Sequence, residues 1–327
     1  MILKNWYSMK KISFISFFGS LSLVFSAKIH DGGMDYYTEV KEALLNQGHT
    51  FTNSLDSCDL IPFWSSPHPL DAKYRQKAIL YTYEPPIYWT HVNDLSYLSS
   101  FLKACTWRHD LCEKNPVKYK KFFYPQYSTI NYEEMKQFNN RKFACLISSY
   151  LYANNSKELY SKRKEIAIFY NKYFPKLFSL YGWRGFEELK LKFYKGVAQD
   201  KSPILADHKF CYCYENWDND FHYITEKILD CISNLCVPIY LGSKNITDYI
   251  PEDVFIDARK FNSIGQIHTH LSKMKEETWN SYIEAMKRFD KSEKSSLFTR
   301  KTQAQRILNN ALEALDELGF ELNPMRN

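Results

Sequence analysis

The 327-residue sequence lacks several features that would settle its class at once. None of its eight cysteines (Cys58, Cys105, Cys112, Cys145, Cys211, Cys213, Cys231 and Cys236) shows the double CxxC or the Cys/His spacing of a structural zinc site. Most sit inside apolar runs, where a reduced thiol behaves as a small hydrophobe, so buried free cysteines and a reducing compartment are expected. Glycine is scarce, at 10 residues, and no GxGxxG pattern opens the first α/β segments, which disfavours a nicotinamide-dependent dehydrogenase. No apolar run reaches the ~20 residues a membrane-spanning helix needs. The longest, Ile12 to Ala27 behind Lys10 and Lys11, is broken by serines and a glycine, and Phe25 stands where a cleavage site would prefer a small residue. It reads as a first buried strand, Lys11 to Phe18, with a signal or short anchor as the alternative. Strong charge is missing too: 43 basic against 37 acidic residues leave +6, too little to mark a nucleic-acid binder. There is no internal repeat.

Apolar and aromatic side chains are abundant. Hydrophobic residues make up 45% of the chain, with 25 Tyr and 23 Phe, which excludes a disordered chain. The length suits two domains, and the pattern is α/β. Asp35 to Gln47 places Tyr36, Val40, Ala43 and Leu44 on one helical face and ends at Gly48, a helix stop. Leu60 to Trp64 and Ala78 to Tyr83 read as strands, the second followed by Glu84 and the rigid Pro85-Pro86 turn. On the residues alone, Glu84 is either a solvated loop carboxylate or a group held at a strand's end to face a ligand. Lys118, Lys120 and Lys121 read as a solvated face. From Gln126 to Arg141 periodicity is lost, as in a linker, and a second α/β half begins with the strand Lys142 to Ser149. Helical spacing returns at Trp279, Ile283, Met286 and Phe289, and again at Ala304, Ile307, Leu308, Ala311, Leu312 and Leu315. This last helix is expected to pack on the core. A peripheral membrane contact through Arg300, Lys301 and Arg306 is its second reading.

Residues 209 to 257 concentrate the chemistry. An apolar strand from Phe210 to Tyr214 precedes a polar loop, Glu215 to Tyr223. A helix with Ile228, Leu229, Ile232, Leu235 and Cys236 on one face follows, then the strand Val237 to Leu241. Such a βαβ unit sets its first loop at the carboxyl edge of a parallel sheet, where ligands bind. Thr225 is a natural N-cap, so free backbone N–H groups should point at an anion. Lys227 is electrostatically costly beside the positive end of the helix dipole and makes sense if a phosphate neutralises it. Glu226 suits sugar hydroxyls better. An ordinary helix start with two solvated charges stays open on the pattern alone.

The ordered set Tyr214-Glu215-Asn216, Tyr223-Ile224-Thr225-Glu226-Lys227, Val237 to Ser243 and Pro251 to Asp257 closely resembles the donor-binding motif of the α-1,3-fucosyltransferase family, glycosyltransferase family 10. Tyr83 to Pro86, Thr106-Trp107, Asp110-Leu111, Phe123 to Pro125 and Asp200-Lys201 resemble the family's neighbouring segments. The resemblance implies a GT-B fold, two Rossmann-like α/β domains facing each other across a cleft. These would be an acceptor-binding domain over 9–138, a GDP-fucose-binding domain over 139–300 and a C-terminal helix over 301–327. It implies an inverting transfer of L-fucose from GDP-fucose to a glycan acceptor, at the 3-OH of a GlcNAc-type residue, with no cofactor and no obligatory metal. Glu84 matches the family's catalytic base. Arg163 and Lys227 match its phosphate-binding pair, Asn216 and Tyr223 its nucleotide contacts, and Glu226 its hydroxyl-binding group. His222 departs from the family's usual Asp or Gly. A cytoplasmic protein is expected, with a lumenal domain behind a signal or anchor as the alternative; the sequons at Asn154 and Asn245 would matter only in the latter.

Overall fold

Short apolar runs, too brief for helices, pair as parallel strands whose buried positions run on without alternation, as expected when both sheet faces are covered. The structure, a computed structural model, describes residues 11–12, 35–52, 54–65, 68–124, 127–130, 132, 135–149, 151–182, 186, 189 and 191–320. Near the N-terminus β1 (Lys11–Ile12) pairs with β2 (Thr50–Phe51), and α1 (Asp35–Asn46) separates them in sequence. The rest of the strand expected to Phe18, and the alternative segment to Ala27, lie outside the described residues. α1 buries Val40 and Leu44 and stops at Gly48, whose φ of +85° a glycine adopts without strain.

β3 (Ile61–Trp64), β4 (Ala78–Tyr81), β5 (Lys103–Thr106) and β6 (Tyr119–Lys121) form a parallel sheet in that order. α2 (Ala72–Arg75), α3 (Leu95–Ser99) and α4 (His109–Lys114) occupy the crossovers. The second sheet is built from β7 (Lys142–Ile147), β8 (Phe178–Tyr181), β9 (His208–Asn219), β10 (Val237–Ser243) and β11 (Ile256–Asp257) in the spatial order β11-β10-β9-β7-β8, all parallel. Around it run α5 (Tyr160–Tyr173), α6 (Ser202–Ala206), α7 (Glu226–Ser233), α8 (Ile264–Lys273), α9 (Glu276–Asp290) and α10 (Glu293–Ser296). The winding starts at β7, goes out to β8, and returns to continue through β9. The carboxyl ends of β7 and β9 therefore flank the point where strand order reverses, the place where open α/β sheets take their ligands.

The chain divides into two compact units, residues 1–122 with 300–327, and residues 123–299. Each holds a parallel sheet, so the α/β class with two such units, the make-up of a GT-B protein, is what the structure shows. The boundaries differ from 138 and 301 because packing, not polarity, sets them. Tyr127 donates its hydroxyl to Asp290 Oδ1 at 2.6 Å and Ile130 N–H reaches the same oxygen, which ties this segment to α9 in the second unit. The last helix, α11 (Arg300–Glu317), buries Ala304, Ile307, Ala311 and Leu315 and packs on α1 and β4, so it belongs to the first unit. Its polar face is engaged: Glu317 accepts from the buried Lys103 ammonium, and Glu313 Oε2 lies 2.7 Å from Lys120 Nζ. Lys118 donates to the carbonyl of Phe101. Two of the three lysines in that run are thus spent within the unit.

All eight cysteines are buried and unpaired. No helix among the described residues is long and apolar enough to cross a membrane.

Candidate functional site

The polar stretch after Tyr214 is not the loop its composition suggests. β9 runs on to Asn219, because its backbone finds partners on both sides: Leu159 and Asp218 N–H groups bond Asn216 and Lys157 carbonyls, and Ser243 pairs with Asn219 beyond a register shift. The strand thereby carries Glu215 and Asn216 past the sheet edge in a fixed alternation. Only residues 220–225 remain as a connection to α7, and Asn219 folds it. Its Oδ1 accepts from the Phe221 and Tyr223 N–H groups at 3.1 Å, and its Nδ2 donates to the Tyr223 carbonyl at 3.3 Å. His222, at φ 64°, lies edge-on to Tyr249 and places Nε2 2.7 Å from Asp248 Oδ2, so it braces this turn.

Arg163 enters from α5 and is 3% exposed. Its guanidinium donates twice to the Tyr214 carbonyl (2.6 and 3.1 Å), once to Asn216 Oδ1 (2.8 Å) and once to Ser148 Oγ (3.1 Å), and it lies over the Tyr160 ring. It bridges the ends of β7 and β9 at the point where strand order reverses. Among the described residues no carboxylate forms an ion pair with it, and burial pulls its pKa below the usual guanidinium value despite attraction from Tyr160, Glu215, Tyr223 and Glu226. A buried cation with only neutral hydrogen-bond partners is expensive unless an anion joins it.

Across from it stands α7, whose buried face is Ile228, Leu229, Cys231 and Ile232. Thr225 occupies the N-cap position with extended backbone, yet its hydroxyl makes no capping bond to the helix. Glu215, fully buried, claims Thr225 instead. Oε1 accepts from the Thr225 N–H at 2.8 Å and Oε2 from its hydroxyl at 2.7 Å. Lys227 Nζ sits 3.0 Å from Thr225 Oγ1, 3.4 Å from Glu215 Oε2 and 3.2 Å from Glu226 Oε1. Burial raises the Glu215 pKa. Burial also opposes ionisation of Glu226, but Lys227 and Lys201 outweigh it and hold that carboxyl at about 2. Lys227, although burial works against its charge, is held above the usual ammonium value by Glu226 and Glu215. Lys201 itself pairs with Asp230 of α7 at 3.1 Å, while the neighbouring Asp200 accepts from the Ser202 N–H at the start of α6.

The second unit therefore gathers Arg163, Asn216, Tyr223, Glu226 and Lys227 at one sheet edge. Glu84 belongs to the first unit, half-buried just beyond β4, where the Pro85 carbonyl accepts the Tyr88 N–H at 2.9 Å and closes the turn. The sequence places Glu215 in the polar cluster where chemistry is expected but assigns it no role of its own. The signal was present in the strand period, which sets Glu215 on the same side as the buried Cys213 and Trp217. Gly242 of β10 also matters here. A Cβ at that position would lie 2.4 Å from Glu215 Cγ and 2.7 Å from the Tyr240 hydroxyl. Gly242→Ala is expected to destabilise the protein by about 1–3 kcal/mol, the usual range for overpacking, read as a lowered melting temperature.

The thiols form a third grouping. Cys211, Cys213 and Cys231 place their sulfurs within 4.8 Å of one another under this edge, Cys213 and Cys231 at 3.1 Å. Sequence spacing hid this cluster because strand and helix each contribute to it.

The family model and the curated relatives that match this chain are fucosyltransferases. Residues 177–316 match the model of the glycosyltransferase family 10 (fucosyltransferase) C-terminal domain. An α-(1,4)-fucosyltransferase of Arabidopsis thaliana is 30% identical over 70 residues, 21% of this chain. An α-(1,3)-fucosyltransferase of Helicobacter pylori is 31% identical over 81 residues, 22% of this chain. The chain spans 17% and 16% of the length of these two relatives. Crystal structures of an α1,3-fucosyltransferase with GDP and with GDP-fucose share the fold, at TM-scores of 0.58 and 0.56 and 16% identity. They are matched over 95% and 99% of this chain and 92% and 94% of theirs. Arg163 and Glu84 lie outside the matched family domain; Asn216, Tyr223, Glu226 and Lys227 lie within it. Over residues 177–316 the chain is thus similar to the C-terminal domain of glycosyltransferase family 10, the fucosyltransferases.

Proposed function

We propose that the protein is an inverting fucosyltransferase that moves L-fucose from GDP-fucose to a hydroxyl of a glycan, the 3-OH of a GlcNAc-type residue. The observation that carries the reading is the buried Arg163, which joins the ends of β7 and β9 with no carboxylate counter-ion among the described residues while Lys227 stands at the start of α7. A diphosphate supplies the anion that this arrangement lacks. Arg163, Lys227 and the first backbone N–H groups of α7 would neutralise it as it leaves, so the transfer needs no metal ion. Asn216 and Tyr223 would hold the nucleotide, and Glu226, ionised down to about pH 2, would accept from sugar hydroxyls. Glu84 would take the proton of the attacking hydroxyl. GDP and GDP-fucose are bound by the structurally similar fucosyltransferase, which supports the choice of donor.

The test is a donor titration with EDTA present throughout. GDP and GDP-fucose are expected to bind and UDP-sugars to bind far more weakly. A preference for a UDP-sugar would replace this reading with that of a transferase using another donor. A glycan array incubated with GDP-fucose and read by mass spectrometry would then identify the acceptor.

A further inference from the structure

We infer that Glu215 is a positioning residue of the donor site: its buried carboxylate draws Thr225 away from capping α7 and holds the Lys227 ammonium in place for the diphosphate. The inference rests on the fucosyl-donor reading above and adds to it a residue which that reading does not use.

The geometry is specific. A threonine at an N-cap position ordinarily accepts a hydrogen bond from an N–H of the first turn. Thr225 does not: its N–H and hydroxyl donate to the two oxygens of Glu215, and the orientation this fixes turns its oxygen to the Lys227 ammonium instead of to a first-turn N–H. The first-turn N–H groups of α7 are thus left without that cap, and the Thr225 oxygen is free to accept from Lys227 Nζ. Three charges stand in contact: Lys227 between Glu215 and Glu226, with Glu215 wholly inside the protein. Glu215 has no access to solvent, and among the described residues its hydrogen-bond and ion-pair partners are Thr225 and Lys227. When a diphosphate takes over Lys227, the two Thr225 bonds still anchor Glu215. The loop end then keeps its shape while the ammonium changes partner. Gly242 serves the same arrangement, since any larger residue would occupy the space of the Glu215 side chain.

Glu215→Gln keeps the shape and removes the charge. Thr225→Val keeps the shape and removes the hydroxyl, while Thr225→Ser retains it. GDP affinity, measured by calorimetry, is expected to fall about tenfold or more in Glu215→Gln and in Thr225→Val, the loss typical of a charge-assisted hydrogen bond. Thr225→Ser should bind within about threefold of wild type. The double variant should be no weaker than the worse single, because both act through one contact. The KM for donor should rise while that for acceptor stays put, which a general loss of structure would not produce. Wild-type affinity in Glu215→Gln would overturn the inference, as would additive losses in the double variant. If Glu215→Gln does not fold, the contrast between Thr225→Val and Thr225→Ser decides: equal GDP affinity in those two also overturns it. Absence of GDP binding by the wild-type chain would instead overturn the donor reading.

Discussion

Glu84→Gln is expected to lower fucosyl transfer by roughly 10²- to 10⁴-fold, the range that general-base catalysis contributes, and to leave GDP affinity unchanged. The two halves of this outcome follow from where the residue sits. Glu84 follows β4 in the first unit, held half-buried by the Pro85 turn, whereas every proposed donor contact belongs to the second unit. A glutamine there preserves volume and hydrogen bonding but cannot accept the proton that the attacking hydroxyl must lose. Single-turnover transfer and GDP calorimetry on the same preparation separate the two quantities. A variant that transfers at the wild-type rate would remove Glu84 from catalysis, and a protein in which neither form transfers would fit a carbohydrate-binding relative that keeps the fold.

Lys227→Ala is expected to act on both binding and stability. Its ammonium touches Glu215 and Glu226 together, and it stands at the helix start where a diphosphate would lie. GDP affinity should fall by about tenfold to a hundredfold with the loss of one charge-assisted contact. Removing one member of a buried ion pair strands the other, which costs about 3–5 kcal/mol when the remaining charge cannot escape. Glu215 can escape by taking a proton, so the cost here should fall at the lower end. The sign with pH follows. Lys227 is the largest influence that lowers the Glu215 pKa against burial, and without it that pKa, already above the usual 4.5, rises further. The folded protein then binds more protons than the unfolded chain between 4.5 and the raised value, and its stability falls as pH increases through that window. The destabilisation of Lys227→Ala should therefore be greatest near neutral pH and shrink toward pH 5, as read by denaturant midpoints. Unchanged GDP affinity would refute the anion-site argument, whatever the stability result.

Much of the architecture was legible because it rests on local rules. Ile61 to Trp64, Ala78 to Tyr81 and Val237 to Leu241 are apolar runs that only a covered strand can bury, and α9 places Trp279, Ile283, Met286 and Phe289 in the core at the predicted spacing. Where the reading fell short, the deciding partners were distant in sequence. The polar segment Glu215–Asn219 became strand because residues 157–159 and 243 pair with it, and Tyr127 joined the second unit because Asp290 accepts its hydroxyl. The last helix joined the first unit for the same kind of reason, its Glu313 and Glu317 meeting Lys120 and Lys103.

The sequence by itself determined the α/β class, the βαβ unit around residues 209–257, and the ordered motif, similar to that of fucosyltransferases, with Lys227 at the start of a helix. These depend on side-chain period, capping chemistry and residue order, all of which are local. Only the tertiary structure decided that Arg163 spans the ends of β7 and β9, that Thr225 is bound to Glu215 rather than to its own helix, and that Lys227 is shared between two carboxylates. Burial is the physical reason. Arg163 carries no sign of its exposure in the sequence, and Glu215 shows its own only once its segment is known to be strand; it is the removal of water by neighbouring strands and helices that turns such a charge into part of a site.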